Sequence, residues 1–134
     1  MNPWRRLARF NAVGAAGIAV QLAALWLLTG VVHAHYLFAT PVAVGLAVLH
    51  NFTWHWKWTW YDRAHAGGLI AAFARFAVAN GAVSLAGNLA VMATLVSGAH
   101  VEPVVANGVA IAVCGLLNFW LGDAVVFRRA SEVP

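Results

Sequence analysis

Charged residues are missing from three long stretches of the chain, and these stretches define its predicted elements. There is no Asp, Glu, Lys or Arg between Arg9 and Lys57, from Phe76 to Val101, or from Pro103 to Gly122. A helix that crosses the hydrocarbon core of a bilayer, about 30 Å thick, needs about 20 apolar residues. The first stretch is long enough for two such helices, and each of the others holds one. The predicted spans lie near residues 10–32, 36–56, 74–97 and 102–122.

The two halves of the chain present the same landmark residues in the same order. Arg9-Phe10, before the first span, recurs as Arg75-Phe76 before the third. Asn51-Phe52, near the end of the second span, recurs 67 residues later as Asn118-Phe119 in the fourth. Gly30 and Gly98 follow the first and third spans, which is typical of helix ends. The pattern predicts one two-helix unit written twice.

The basic residues predict how these helices are oriented. All eight Lys and Arg residues lie at the N-terminus, in the 57–75 connection or at the C-terminus. By the positive-inside rule, these three segments are cytoplasmic. We therefore predict an all-α integral membrane fold in the cytoplasmic (inner) membrane, with four transmembrane helices and both termini inside. It is a single domain over residues 1–134, built from two parallel two-helix repeats, 9–60 and 75–127.

Composition and charge exclude several classes of protein. The chain is 63% hydrophobic and 9% charged, whereas soluble domains are about 45–50% apolar and about 25% charged. The net charge of +4 is explained by topology and attraction to anionic lipid, so no nucleic-acid partner is expected. No acid lies deep in a span, which disfavours a proton-coupled multidrug exporter. No nucleophile–base pair or phosphate-binding glycine loop is present either, so we expect neither an enzyme nor a cofactor.

Polar residues inside the predicted spans are the first candidates for function. Asn80, Ser84 and Asn88 follow one another at helical spacing along the third span, and Gln21 lies near the middle of the first. Together they predict an uncharged polar track entered from the cytoplasm. Amides that only hold helices together, at about 0.6 kcal/mol each, are the alternative. The track comprises Gln21, Asn51, Asn80, Ser84, Asn88 and Asn118.

Tryptophans cluster at the end of the second span, at positions 54, 56, 58 and 60. Trp54, Trp56, Trp58 and Trp60 are predicted to form an interfacial aromatic belt that anchors the helix among lipid headgroups. Stacking on a sugar ring is the alternative. On the outer side, a metal could use the polar side chains near the hairpin turns, but the pattern is weak and no metal site is predicted. These residues are His33, His35, His100 and Glu102.

Several of these features together resemble the GtrA-like family of small four-helix membrane proteins. Arg9-Phe10 leads to Val13-Gly14, and Asn51-Phe52 closes on Trp58-Thr59-Trp60. The fourth span repeats this ending with Asn118-Phe119 and Val125-Val126-Phe127, followed by Arg128. The resemblance covers nearly the whole chain. It implies work in cell-surface polysaccharide synthesis, beside a membrane glycosyltransferase that loads a sugar onto a polyprenyl phosphate.

The function expected from the resemblance is movement of that polyprenyl-phosphate-linked sugar across the membrane. Cations at the cytoplasmic interface suit the phosphate, and the neutral polar track suits the sugar. The alternative is an accessory subunit that anchors and stabilises the glycosyltransferase. Four short helices make a thin assembly, so a homodimer or a complex with a partner protein is a further expectation. The predicted phosphate-binding residues are Arg9, Lys57, Arg75 and Arg128.

Overall fold

A computed structural model describes residues 1–63 and 68–127, and within these ranges every regular element is helical. Five of these elements are α-helices. The bounds are Pro3–Trp26 for α1, Tyr36–Trp54 for α2, Gly68–Ala82 for α3, Asn88–Met92 for α4 and Pro103–Leu121 for α5.

Segments of π-helix continue each of these α-helices. They are Leu27–Val31, His55–Thr59, Val83–Gly87, Ala93–Gly98 and Gly122–Val126. With them, the described part of the chain contains four continuous helices that are long and apolar enough to cross a membrane. The all-helical prediction with four potential spans is therefore confirmed. The four stretches are Pro3–Val31, Leu37–Thr59, Gly68–Gly98 and Val105–Val126.

The first and third helices begin earlier than the hydrophobic pattern predicted. The first begins at Pro3, where the side-chain oxygen of Asn2 accepts a hydrogen bond of 2.9 Å from the backbone N–H of Trp4. Asn before a helix and Pro in its first turn are both favoured at a helix start. The third begins at Gly68. Hydropathy marks the part of a helix suited to hydrocarbon, whereas capping marks where the helix itself begins.

Histidines, and not the predicted glycines, make the turns that end the first and third helices. Gly30 lies within a π-helical segment and Gly98 is the last residue of another. The left-handed backbone conformation is adopted by His33, with φ of 56°, and by His100, with φ of 54°. Histidine tolerates this region better than most non-glycine residues. The helix ends lie within one residue of the predicted 32 and 97, whereas the turn residues lie two or three residues beyond the predicted glycines.

The helices after these turns start with side-chain caps. The Nδ1 atom of His35 accepts a hydrogen bond of 3.3 Å from the backbone N–H of Leu37 at the start of α2. A carboxylate oxygen of Glu102 accepts one of 3.0 Å from the N–H of Val105 at the start of α5. Among the described residues, no group of three or more His, Cys, Asp and Glu is arranged to hold a metal ion.

The chain divides into two compact units, which we call the N-terminal unit, Met1–Asp62, and the C-terminal unit, Arg63–Pro134. In the N-terminal unit α1 packs along α2. The buried face of α2 consists of alanines at successive turns, Ala39, Ala43 and Ala47. Small side chains let the two backbones approach closely, as is usual for helices in membranes.

In the C-terminal unit α5 packs against α4 and against the π-helical segment Val83–Gly87. Its buried face contains Ala106, Ala110 and Cys114. A Cβ atom added to Gly87 would lie 3.0 Å from the Sγ atom of Cys114, so glycine is the residue that fits beside this thiol. The N-terminal unit is therefore a pair of packed helices, and in the C-terminal unit α5 packs against a helix that includes a π-helical segment. Small residues lie at the contact in both units.

Candidate functional site

Arg9 lies at one end of the N-terminal unit, against aromatic rings. Its guanidinium carbon is 5.1 Å from the ring centroid of Trp58 and 5.5 Å from that of Tyr61. One terminal N–H group donates a 2.9 Å hydrogen bond to the backbone carbonyl of Trp58. This carbonyl lies in the last turn of a helix, where backbone acceptors have no helical partner. The other N–H groups of Arg9 have no acceptor among the described residues.

A buried aromatic cluster lies beside this arginine. The ring of Phe10 stacks on His55 with centroids 4.9 Å apart, and Trp60 meets His55 edge-on at 5.2 Å. The Nδ1 atom of His55 is 3.0 Å from the hydroxyl oxygen of Thr59. Trp60 is completely buried. It therefore differs from the interfacial anchor that the sequence predicted, because its ring fills the interior of the unit.

The other members of the predicted aromatic belt lie nearer the surface. Trp54 and Trp58 are 48% and 39% exposed, and Trp56 is half-buried against Phe52, with ring centroids 5.7 Å apart. Lys57 is exposed, and no acidic residue in the described ranges pairs with it. Three of the four tryptophans can thus contact lipid or ligand.

An ion pair that the sequence analysis missed joins the ends of the N-terminal unit. The guanidinium of Arg6 is 2.9 Å from the carboxylate of Asp62, and the N-terminal ammonium of Met1 is 3.1 Å from it. Partial burial opposes ionisation of the carboxyl group, but the ammonium hydrogen bond and the Arg6 charge outweigh it, so the pKa of Asp62 is lowered. Opposite charges at the two ends of the predicted first hairpin are the sequence signal for this pair.

Basic residues in the C-terminal unit also contact helix ends. Arg75 donates a 3.4 Å hydrogen bond to the backbone carbonyl of Val126. Arg63 pairs with the carboxylate of Asp123 at 2.8 Å and donates to the backbone carbonyls of Asp123 and Phe127. Arg128, the last predicted phosphate ligand, lies outside the described residues.

The polar residues of the C-terminal unit do not bond one another. Asn80, Ser84 and Asn88 each lack a hydrogen-bond partner within the described ranges. The side-chain oxygen of Asn118 is buried and is likewise unpaired there. An amide or hydroxyl without a partner is costly in an apolar environment. Helix-packing bonds within this unit therefore do not account for the row.

The two polar residues predicted in the N-terminal unit differ from each other. The side-chain oxygen of Asn51 is 3.2 Å from the Nδ1 atom of His50, and the amide lies directly over Gly17, where an added Cβ would be 2.1 Å from that oxygen. Gln21 is half-buried and has no hydrogen-bond partner in the described part of the chain. Asn51 thus has a packing role, whereas Gln21 is available to a ligand.

Comparison with known families identifies the chain. A family model described as GtrA/DPMS, transmembrane domain, matches residues 9–130. The chain belongs to this family. The resemblance seen in the sequence is thereby confirmed, and the match includes three of the potential spans whole and the first from residue 9 onward. No curated protein matches the chain.

Membership in the GtrA/DPMS family sets the general function. The protein is a multi-pass membrane protein, with four apolar helices in the described ranges. The family is generally non-catalytic, and its name points to glycosyl-lipid pathways. The expectation that this chain is not an enzyme stays a prediction.

Proposed function

We propose that this GtrA/DPMS protein carries a polyprenyl-phosphate-linked sugar across the cytoplasmic membrane, as a translocase or carrier subunit in cell-surface polysaccharide synthesis. Family membership supports the general pathway. A lipid-linked sugar has three chemically distinct parts, and a carrier needs a surface suited to each. These are an apolar tail, an anionic phosphate and a ring of hydroxyl groups.

The row of unpaired polar groups in the C-terminal unit carries the proposal. Asn80, Ser84 and Asn88 follow one another along one helix and have no partner in the described ranges. In a membrane, each unsatisfied polar group costs several kcal/mol. A sugar supplies hydroxyl groups that donate and accept hydrogen bonds, so its passage would satisfy these groups in turn. Because the row is uncharged, it would not hold the sugar so tightly that release is blocked.

Cations at one end of the N-terminal unit suit the phosphate. The unengaged N–H groups of Arg9 and the exposed ammonium of Lys57 are free of acidic partners in the described ranges. Arginine can bind a phosphate through two parallel hydrogen bonds, and lysine acts as a point charge. Arg75 and Arg128 are proposed to serve in the same way for the second half.

We further propose that the chain consists of two parallel repeats with cytoplasmic termini. Several features recur 67 residues apart, as a repeat requires. The left-handed residues His33 and His100 are one such pair. The π-helical segments His55–Thr59 and Gly122–Val126 are another. In each half, an arginine near the start of the unit donates to a carbonyl in that final segment.

The test is transbilayer movement of a polyprenyl-phosphate sugar in proteoliposomes containing the purified full chain. Replacing Asn88 with Leu should abolish movement, because the polar row would then lose the hydrogen-bonding group at its far end. Asn107→Leu is the matched control, since Asn107 is exposed on α5 and outside the row. Movement should continue in that variant.

A different outcome would favour the accessory role. If Asn88→Leu moved the lipid as fast as the unaltered protein, the polar row would not be a sugar path. Co-purification of a membrane glycosyltransferase, with its activity dependent on this chain and no lipid movement, would identify a stabilising subunit. The same purification reports whether the chain is a homodimer.

A further inference from the structure

A groove of about 320 Å³ runs between α1 and α2 within the N-terminal unit. Trp54 and Trp58, the alternative sugar-stacking residues, line it, but no predicted phosphate ligand or polar-track residue does, and His50 has no part in the proposed function. Its lining residues are Ala12, Val13, Ala16, His50, Trp54 and Trp58.

The two walls of the groove have different chemistry. The wall formed by α1 is shallow and smooth, because Ala12 and Ala16, which are one turn apart, have small side chains. On the other side, His50, Trp54 and Trp58 follow at intervals of four residues. Eight residues of helix correspond to a length of about 12 Å. The groove is therefore about 12 Å long, open along one side and almost entirely apolar.

Within the described residues, a cation lies at one end of this groove and none lies at the other. The guanidinium of Arg9 is 5.1 Å from the ring centroid of Trp58, with N–H groups that no described acceptor occupies. At the opposite end, the Nδ1 atom of His50 is already engaged with the side chain of Asn51, 3.2 Å away. The groove thus combines a site for an anion with a slot for one apolar chain that extends from it.

We propose that this groove binds the isoprene units next to the phosphate of the polyprenyl phosphate, while the phosphate itself contacts Arg9. The proposal rests on the proposed function and assigns the lipid part of the substrate to the N-terminal unit. A single branched chain with flat double bonds suits an apolar groove of this volume lined by two indole rings. A phospholipid, with two chains joined at its head, could place only one of them there.

The position of the groove along its two helices also matches the direction in which a membrane lipid lies. Arg9 and Trp58 lie at the two helix ends next to charged segments, whereas His50 lies deeper in the second potential span. A phosphate at the membrane surface with its chain descending past Trp58 and Trp54 would follow the direction of the neighbouring lipids. Trp54 and Trp58 then contact substrate, in place of serving only as headgroup anchors.

The experiment uses the full chain in nanodiscs and two photoreactive probes. One is a polyprenyl monophosphate with a diazirine in the isoprene unit nearest the phosphate, and the other is a phosphatidylglycerol with a diazirine in one chain. Peptides crosslinked by the first probe should map to the groove residues of α1 and α2. Phosphatidylglycerol should label many lipid-exposed helix positions without this preference.

A pair of variants tests the slot itself. Ala16→Phe fills the groove and should weaken polyprenyl phosphate binding at least about tenfold, equivalent to about 1.4 kcal/mol. Ala15→Phe places the same ring on an exposed position of the same helix, outside the groove, and should bind like the unaltered protein. Circular dichroism establishes that both variants are folded, and the crosslink map of the unaltered protein does not depend on either.

Four results would overturn the inference. Equal labelling of the groove by phosphatidylglycerol would make it a site for bulk lipid. Equal losses in Ala15→Phe and Ala16→Phe would also refute it. Crosslinks confined to the C-terminal unit, with lipid movement intact, would refute the groove while leaving the proposed function standing. If polyprenyl phosphate crosslinked nowhere and did not move, both proposals would fail.

Discussion

Gly17 provides a sharp test of how the N-terminal unit is packed. Its backbone lies under the amide of Asn51, and an added Cβ would be 2.1 Å from the Asn51 oxygen and 2.7 Å from the amide carbon. At Gly14, one turn earlier on the same helix, an added Cβ would meet nothing within 4 Å. Gly17→Ala and Gly14→Ala are therefore the same chemical change in opposite environments.

The two substitutions should change the stability of the unit in opposite directions. Alanine stabilises a helix relative to glycine by about 0.5–1 kcal/mol, and Gly14→Ala should show that gain. In Gly17→Ala the Asn51 amide must move, which disturbs its contact with His50. Overpacking costs about 1–3 kcal/mol, and a lost membrane hydrogen bond adds about 0.6 kcal/mol. Set against the helix gain of alanine, the expected net result is a destabilisation of about 0.6–3 kcal/mol.

The assay is reversible unfolding by SDS in mixed micelles, followed by circular dichroism. The same substitution should also be measured in an Asn51→Ala background. The obstructing amide is absent there, so Gly17→Ala should become neutral or stabilising. Such coupling is expected only between residues in contact. Equal stability of Gly17→Ala and Gly14→Ala would refute the reasoning, as would a loss that persists in the Asn51→Ala background.

Three further predictions concern other parts of the chain. His100→Gly should raise thermal stability and His100→Val should lower it, because the backbone there has φ of 54°; equal melting temperatures would contradict this. The lowered pKa of Asp62 means that its carboxylate stabilises the fold fully above the ordinary value of 3.8 and loses this contribution as the pH falls below it. As the pH is lowered, the free energy of unfolding should therefore fall less steeply in Asp62→Asn than in the unaltered protein, and equal slopes would exclude the ion pair. Gly87→Ala should destabilise the C-terminal unit and Cys114→Ala should relieve that loss, as measured by SDS unfolding of the single and double variants; no relief would mean that the thiol is not the obstruction.

Much of the fold could be predicted from the sequence because the membrane imposes a simple rule. Every backbone polar group in hydrocarbon must be paired within the protein, so a long charge-free run specifies a helix. That rule predicts the four helices but not the residues at which they begin. Pro3 begins the first helix because Asn2 caps it, and hydropathy does not detect capping.

The candidate site could be predicted only in part, because its residues were identified by type and not by contact. The polar row of the third span followed from periodicity. The burial of Trp60 did not, since a tryptophan near a span end is usually an interfacial anchor. His50 and the two alanines of the groove carried no chemical signal by themselves. Their significance comes from the packing of α1 on α2, which single-helix patterns do not show.

The central claim is that this protein binds a polyprenyl-phosphate lipid, and native mass spectrometry of the chain extracted gently from its own membrane tests it most directly. The account predicts an additional mass equal to a polyprenyl phosphate or its glycosylated form. This mass should be lost in Arg9→Gln and kept in Arg5→Gln, because Arg5 is exposed on the same helix and outside the groove. Release of the chain without any such lipid, together with a glycosyltransferase, would contradict the account and identify an accessory subunit.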